Sequence, residues 1–398
     1  MPEYNGIYKE GQIVVKLDYK FTKITYFIFV FSWFLGDYTG NVHDDYKYGF
    51  WVISFICAIM PIIYYLIGYK QIKKKCDTYT VKQVLLVVAV FAIISICAMP
   101  FNGFHLLMWR DLFYILMPAI YIFTIINLDN SPNLDYYVNL AFLAYVAYFV
   151  LGFGVKSFTL ANFTRMSFAD SFSPWESGMA DVFGICFFYY YTRKQWGKCL
   201  VAGILNYMSF KRIHLFFMAF YIVAEPFLKN KPVPKAVEWI FKGAFILSPL
   251  FIYVAVSDSF ANWFEMTFDM SLNSFTTGRF NQINLIVDLG DNMTGLGMTH
   301  LMLVREGFVV KRLHCDILRF LIETTVVGLM VFVNSYLNIA KRNQKNFALM
   351  VFFMIIMVSS TCIENTFYWL LTYLVMESLQ RIGDNKEEEI HGQRLSCG

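Results

Sequence analysis

Long apolar runs, each bounded by charged or turn-forming residues, recur along the whole chain. Several are shorter than the ~20 residues that a hydrocarbon core of about 30 Å requires, but flanking Tyr, Trp and Lys side chains extend such runs at the interface. The pattern predicts an all-α polytopic membrane protein with about 12 transmembrane helices. The twelve candidate spans are 24–36, 49–68, 84–99, 112–127, 138–154, 179–192, 199–210, 214–228, 243–257, 320–339, 347–361 and 366–380.

The segment 199–228 has two interpretations, because Lys211 and Arg212 interrupt an apolar stretch of about thirty residues. As a single span it would place two cations near the bilayer centre, at ~2.5–3.5 kcal/mol each on insertion scales. As a tight hairpin it would place both cations at the outer boundary between membrane and water. The hairpin is the prediction, since it satisfies hydropathy and charge together.

Composition agrees with a chain that has lipid as its solvent. Of 398 residues, 58% are apolar and 16% are charged, against roughly half and a quarter in soluble proteins. The net charge of +4 is small, and no lysine-rich tract is interleaved with aromatics, which argues against nucleic acid as a partner. Eight scattered cysteines without a CxxC pair indicate neither a disulfide framework nor a zinc site. The first apolar run lacks a small-residue cleavage site, so we expect it to stay in the protein.

Lysine and arginine predict the orientation, because short loops rich in them remain cytoplasmic. With the N-terminus inside, alternate loops carry 22 of the 33 cations. Both termini are then expected to be cytoplasmic. The predicted regions are an N-terminal transmembrane bundle over 1–257 with about nine helices, a large periplasmic loop over 258–319, C-terminal transmembrane helices over 320–380 and a cytoplasmic tail over 381–398.

The periplasmic loop is the only long hydrophilic stretch, and it carries more positive charge than its side of the membrane should. Either a long loop is translocated regardless of charge, or the cations have a function. Two stretches look specific. The first is Thr276-Thr277-Gly278-Arg279, followed by the turn Gly295-Leu296-Gly297; the second runs from His314 to Glu323 into a membrane span. On a helix Asp316, Arg319 and Glu323 share one face and can pair, which would hold Arg319 in place.

These residues resemble the polytopic O-antigen polymerases (Wzy) of lipopolysaccharide biosynthesis and the related O-antigen ligases. In that family a periplasmic loop carries a small-Gly-Arg motif, a Gly-x-Gly turn, a His-x-x-x-Leu-Arg stretch and a Glu-x-x-x-x-Gly helix, and all four occur here in this order. A looser match is Ser209-Phe210-Lys211-Arg212, where the family has a Ser-Arg pair. The Gly-Arg motif lacks the Trp that the family often has nearby. The resemblance covers the topology and about a third of the residues.

The resemblance implies a GT-C-like glycosyltransferase of the bacterial inner membrane, which moves a glycan from undecaprenyl diphosphate onto another lipid-linked repeat unit. Arginine suits the diphosphate leaving group because its planar fork is permanently charged. We therefore expect Arg279 and Arg212 to clamp the diphosphate, with Lys211 beside them, and Arg319 to orient the site or add a phosphate contact. His314 is the expected proton acceptor, with His300 as a competing base.

Other outer residues have weaker expected roles. Arg110 and Arg165 are candidate glycan contacts, Gly278 supports Arg279, and Asp316 and Glu323 are expected to hold Arg319. For each arginine the alternative is an ordinary solvated or interfacial side chain. No cofactor or metal is expected, since undecaprenyl diphosphate is part of the substrate and neither a DxD pair nor a P-loop occurs.

Several functions remain open at this point. An O-antigen ligase would share nearly the same motifs, and a capsular polymerase is the same chemistry with another product. A flippase or transporter for lipid-linked sugar should show charges within several spans and repeat symmetry, and a channel should show a selectivity ring. The expected partners are the lipid-linked oligosaccharide, membrane lipids, a chain-length regulator and a flippase. The sugar, the linkage and whether the reaction inverts or retains configuration stay open.

Overall fold

A computed structural model describes most of the chain. The described residues are 19–40, 44–68, 78–129, 134–166, 173–209, 211–276, 278–289, 292–308 and 312–396. Thr277 and residues 167–172, which belong to the predicted outer loop after Arg165, fall outside these ranges. So does Phe210, at the turn of the predicted hairpin.

The described part of the chain is all α-helical, with 17 α-helices, two short 3₁₀ segments and no strand. The 3₁₀ segments are Val155–Ser157 and Glu225–Phe227. The α-helices are α1 (Tyr19–Gly40), α2 (Asp44–Gly68), α3 (Tyr79–Asn102), α4 (Leu107–Leu128), α5 (Asp135–Phe153), α6 (Leu160–Thr164), α7 (Ala180–Thr192), α8 (Trp196–Ser209), α9 (Arg212–Ala224), α10 (Lys235–Ala255), α11 (Asp258–Phe268), α12 (Leu272–Phe275), α13 (Arg279–Leu289), α14 (Met298–Arg305), α15 (Asp316–Ala340), α16 (Gln344–Ser359) and α17 (Thr366–Ser396).

Each of the twelve predicted apolar runs falls on a helix of its own, so the sequence pattern located the long elements correctly. By length and composition, four helices within the described ranges are able to cross a membrane: α3, α4, α5 and α10. They indicate a membrane protein. α17 continues through the predicted cytoplasmic tail as far as Ser396.

The chain forms two compact units, which we describe separately. The first comprises Met1–Asp77 and Thr124–Asn130. Within it, α1 and α2 pack together through the stacked rings of Trp33 and Trp51, whose centroids are 5.9 Å apart. The hydroxyls of Ser32 and Ser54 share a buried hydrogen bond of 2.8 Å across the same pair of helices. The second unit, Thr78–Phe123 and Ser131–Gly398, contains all the candidate site residues.

The predicted hairpin over 199–228 is confirmed. α8 runs antiparallel to α7, because Gly184 lies beside Asn206 while Phe187 lies beside Gly203. α9 runs parallel to α7, because Gly184 also lies beside His214 and the hydroxyl of Thr192 bonds that of Tyr221 at 2.6 Å. The chain therefore reverses between α8 and α9, and Lys211 and Arg212 lie at the turn.

α15 is the central helix of the second unit, and it packs against α3, α10 and α16. It is interrupted at Thr325, whose φ of +63° is unusual for a β-branched residue. Next to this break, the carbonyl of Glu323 accepts a hydrogen bond of 2.7 Å from the amide of Gly295. The break thus gives the long loop a point of attachment to the helix that follows it.

The hydrophilic stretch 258–318 contains four short helices, α11 to α14. α13 and α14 share a small hydrophobic core with the start of α15, in which Leu303, Leu313 and Cys315 are buried. This core fixes the second half of the stretch on α15. The residues around Arg279 and His314 therefore lie on a folded element.

Candidate functional site

Arg279 is placed by a turn that needs glycine. Gly278 adopts a φ of +84°, which a residue with a Cβ rarely adopts, and its amide donates to the carbonyl of Asn273 at 2.9 Å. α13 begins at the next residue. The half-buried Arg279 then reaches α16, where its Nη1 donates to the carbonyl of Ser359 at 2.7 Å. Gly278 therefore allows the turn that positions Arg279, and a single hydrogen bond to the described residues leaves most of the guanidinium N–H groups for a ligand.

Lys211 and Arg212 come to the same region from the turn of the hairpin. The Nζ of Lys211 donates to the Oδ1 of the buried Asp181 at 2.9 Å. The guanidinium of Arg212 lies 5.8 Å from the ring centre of Phe275, at the end of α12. The pKa of Arg279 is lowered, first by burial and then by the nearby charge of Arg212, and the negative charge of Glu176 partly offsets this. Two segments that are distant in sequence thus bring their cations together.

His314 completes this group, which we call the cationic cluster: Lys211, Arg212, Arg279 and His314. The imidazole is half-buried, and its Nδ1 has no hydrogen-bond partner among the described residues. Burial first, and then Arg279, Lys211 and Arg312, lower the pKa of His314 to about 4. The imidazole is therefore neutral at pH 7 and able to accept a proton.

The cationic cluster has the properties of an anion site. Among the described residues, the acids that interact with it are Glu176, which is exposed, and Asp181, which is engaged by Lys211 and by the Nε2 of His214 at 2.7 Å. Positive charge therefore exceeds negative charge at this surface. Arginine and lysine donors around a neutral imidazole can bind a phosphate group and accept a proton from a neighbouring hydroxyl.

Arg319 is in a different situation, because it lies inside a cage of carboxylates. Its Nε donates to Glu323 at 3.0 Å and its Nη1 donates to Glu364 at 2.7 Å. Its Nη2 pairs with Asp111 of α4. The side chain is only 4% exposed. We call Arg319, Asp111, Glu323 and Glu364 the Arg319 network.

Two further arginines border this network. Arg110 donates to the Oδ1 of Asp111 at 3.0 Å and lies 3.8 Å from Glu364. The Nε of Arg312 pairs with the Oε2 of Glu364 at 2.9 Å. Burial opposes ionisation of Glu364, but Arg319, Arg312 and Arg110 together hold its pKa below the usual value. Three arginines and three carboxylates thus balance in charge.

The Gly-x-Gly turn serves the Arg319 network. Gly297 adopts a φ of +85°, and a Cβ there would lie only 2.7 Å from the Cβ of Leu107, so only glycine fits. Immediately after it, the amide and the hydroxyl of Thr299 donate to the Oε1 of Glu323, at 3.0 and 2.6 Å. The motif therefore brings the start of α14 to the carboxylate that holds Arg319.

The expected partners of Arg319 are half right. Glu323 pairs with it as predicted, but the predicted pairing of Asp316 is wrong. The two oxygens of Asp316 accept instead from the hydroxyl of Thr361 at 2.9 Å and from the amides of Cys362 and Ile363 at 2.6 and 3.0 Å. Because Asp316 is the first residue of α15, its carboxylate points back beyond the helix and binds the loop between α16 and α17.

The remaining predicted residues do not join the cationic cluster. His300 faces the Arg319 network. Its pKa is lowered, first by burial and then by Arg110, while Glu364 and Asp111 partly offset this effect. Arg110 is engaged by that network too. Arg319 is only 4% exposed and has each of its three nitrogens paired with a carboxylate, so it lies outside the cationic cluster. Arg165 is exposed at the end of α6, and nothing in the described ranges links it to either group.

Sequence reasoning missed Asp111 and Glu364 in the Arg319 network and Asp181 beside the cationic cluster, and it missed Arg312 as a link between the two groups. Arg312 pairs with Glu364 in the Arg319 network and also acts on His314. A weak signal existed for Asp111 and Glu364, since each carboxylate stands at the end of an apolar run. Nothing in the sequence pairs either residue with Arg319, which is 208 and 45 positions away respectively.

Within the described ranges, no group of three or more His, Cys, Asp and Glu side chains is arranged to hold a metal ion. No protein-family model matches the chain, and neither does any curated protein or any solved structure.

Proposed function

We propose that this protein is a polysaccharide polymerase of the bacterial inner membrane, which joins undecaprenyl-diphosphate-linked oligosaccharide units on the periplasmic face. The proposal includes about 12 membrane spans, cytoplasmic termini, and residues 258–319 as a periplasmic catalytic loop. The observation that carries it is the cationic cluster, in which Lys211 and Arg279 from two distant segments act on a neutral His314, and Arg212 lies close to Arg279.

The residues divide the reaction between them. Arg279 and Arg212, with Lys211 beside them, bind the lipid diphosphate and stabilise the negative charge that develops on it. The bond between the anomeric carbon of the sugar and the diphosphate oxygen breaks, and the acceptor hydroxyl forms a new bond to that carbon. The hydroxyl proton passes to the imidazole of His314, and the lipid diphosphate leaves as an anion.

Substrate binding would tune the base. In the free protein, the neighbouring cations help to keep the pKa of His314 at about 4, at which an imidazole is a weak base. A bound diphosphate places negative charge among those cations and offsets their effect, so the pKa of His314 rises toward neutrality. The imidazole thus becomes a better proton acceptor when the leaving group is in place.

The Arg319 network has a supporting role in this proposal. It fixes the start of α15 to α4 and to the loop between α16 and α17. His314 lies two residues before α15. The network therefore holds the proton acceptor in position without touching the substrate.

A deletion strain examined by polysaccharide gel tests the proposal. A polymerase is supported if the ladder is lost while a single repeat unit stays on the lipid core. Loss of even that unit would contradict a polymerase and indicate a ligase or a flippase.

Arg279→Ala tests the cationic cluster directly. Losing a transition-state charge partner should lower the rate by about 10²–10³-fold, which removes the ladder at normal protein level. Arg305→Ala is the matched control, because Arg305 lies in the same loop with its side chain 70% exposed. A full ladder from the Arg279→Ala strain would contradict the proposed clamp.

A transporter of the same lipid-linked sugar is the second candidate, and one observation favours it. The carboxylate of Asp181 lies 2.7 Å from the Nε2 of His214 within two predicted spans, and His214 is fully buried. Buried ionisable side chains within membrane helices often mark transport pathways. The deletion strain separates the two functions, because without a transporter no repeat unit reaches the outer face.

A further inference from the structure

Helix α11 has two chemically distinct faces. Asp258, Asn262, Glu265 and Asp269 recur at the spacing of one helix face, with Asp269 as the residue that ends the helix. The opposite face carries the four aromatic side chains Phe260, Trp263, Phe264 and Phe268. These rings contact one another, for example Phe264 and Phe268 with centroids 4.7 Å apart.

The aromatic face of α11 is not covered by the described part of the protein. None of the eleven residues of the helix is buried. On the aromatic face, Trp263 is 50% exposed and Phe268 is 58% exposed. Single exposed apolar side chains are normal on a protein surface. A contiguous exposed apolar patch instead marks a surface that contacts a partner or a membrane.

The position of the helix identifies that partner. α10 is one of the four helices able to span a membrane, and it ends at Ala255, three positions before α11 begins. The last turns of α10 expose Leu250, Phe251 and Val254, which are the side chains a span presents to lipid. α11 therefore begins where the chain leaves the hydrocarbon core, at the depth where tryptophan is enriched.

We propose that α11 lies in the plane of the membrane surface, with its aromatic face among the lipid acyl chains and its acidic face in water. The partner of the aromatic face is then the lipid bilayer, and this proposal does not depend on the proposed polymerase function. Its acidic face would not attract anionic lipids, so the apolar area provides the binding.

This placement sets the depth of the cationic cluster. The ring of Phe264 contacts that of Phe275, with centroids 5.3 Å apart, and Phe275 lies under the guanidinium of Arg212. A helix held at the surface thus keeps Arg212 near the level of lipid headgroups.

Fluorescence quenching tests the proposal with the full-length protein in zwitterionic phosphatidylcholine vesicles whose acyl chains carry bromine. The difference between the wild type and Trp263→Phe isolates the emission of Trp263. The matched variant adds Asn262→Trp to the Trp263→Phe background, which moves the indole to the acidic face of the same helix. Bromine should quench the Trp263 emission several-fold more strongly than that of the introduced indole, and aqueous acrylamide should give the reverse order.

The alternatives give different results. Equal quenching of both indoles by bromine would overturn the proposal in favour of a helix inside the hydrocarbon core. Quenching of neither by bromine would place α11 in water, and protection of Trp263 from acrylamide only after addition of a polyprenyl diphosphate would assign the aromatic face to the substrate tail. If Asn262→Trp does not yield folded protein, Glu265→Trp in the same background places an indole on the same face.

Discussion

The second unit contains two groups of arginines, the Arg319 network and the cationic cluster, and their surroundings give them opposite roles. In the Arg319 network, Arg319 meets three carboxylates and is almost completely buried. In the cationic cluster, Arg279 has one carbonyl partner, half its surface covered, and other cations as neighbours. In the Arg319 network the positive charge is compensated by protein carboxylates, whereas in the cationic cluster part of the positive charge is available to a ligand.

The comparison shows that residue type does not determine function here. A buried guanidinium whose three nitrogens are each paired with a carboxylate can hold helices together, but its charge is already compensated and a phosphate has no access to it. An arginine among other cations is unfavourable by itself and becomes favourable when an anion binds. Substitutions in the Arg319 network should therefore affect stability, whereas substitutions in the cationic cluster should affect activity.

The largest effect is expected from Arg319→Met, which leaves three carboxylates without their shared cation. Removing one partner of a buried ion pair costs about 3–5 kcal/mol, so the variant should accumulate poorly and unfold at a lower temperature. Thermal unfolding of the purified protein measures this, with the exposed Arg305→Met as control. An unchanged unfolding temperature would mean that the cage does not stabilise the fold.

His314→Gln should abolish most activity while the fold persists. The loss of a general base lowers the rate by about 10²–10⁴-fold, and His314 is only half-buried. His300→Gln is the matched control, since His300 faces the Arg319 network, and it should retain most of the rate. Glycan transfer between purified lipid-linked units measures both. Similar decreases in the transfer rate of the two variants would contradict the assignment of His314, and not His300, as the proton acceptor.

The pH dependence sharpens the assignment of His314. A proton acceptor works only when neutral, and the lowered pKa keeps His314 neutral as pH falls from 7 toward about 4. The ratio kcat/KM, which reports the free protein, should therefore persist through mildly acidic pH. In kcat, which reports the bound complex, the acid limb should lie at higher pH because the diphosphate offsets the cations. Coincident acid limbs would contradict the proposed coupling.

Lys211→Met should have the smallest effect. Lys211 is partly exposed and already paired with Asp181, so its removal weakens diphosphate binding by about 1 kcal/mol. That corresponds to roughly a fivefold rise in KM, with kcat nearly unchanged. Steady-state kinetics with the lipid-linked substrate measures the split, and a large fall in kcat would assign Lys211 a role in the chemical step.

The sequence determined the elements with considerable accuracy. The apolar runs located every long helix, and the two cations at 211 and 212 correctly predicted the reversal between α8 and α9. These features are local, since hydropathy and charge along a short stretch decide whether it forms a helix and where that helix stops. The resemblance also singled out Arg279 and His314, which the structure brings close together.

Only the tertiary structure decided which arginine is available. From the sequence, Arg319 was a candidate for an additional phosphate contact beside Arg279 and Arg212, and Asp316 was as good a partner for Arg319 as Glu323. The fold brings Asp111 and Glu364 to Arg319 from 208 and 45 positions away, and it turns Asp316 toward another loop. A charged group in a site of low dielectric takes its properties from its nearest neighbours in space, and the order of residues along the chain does not specify those neighbours.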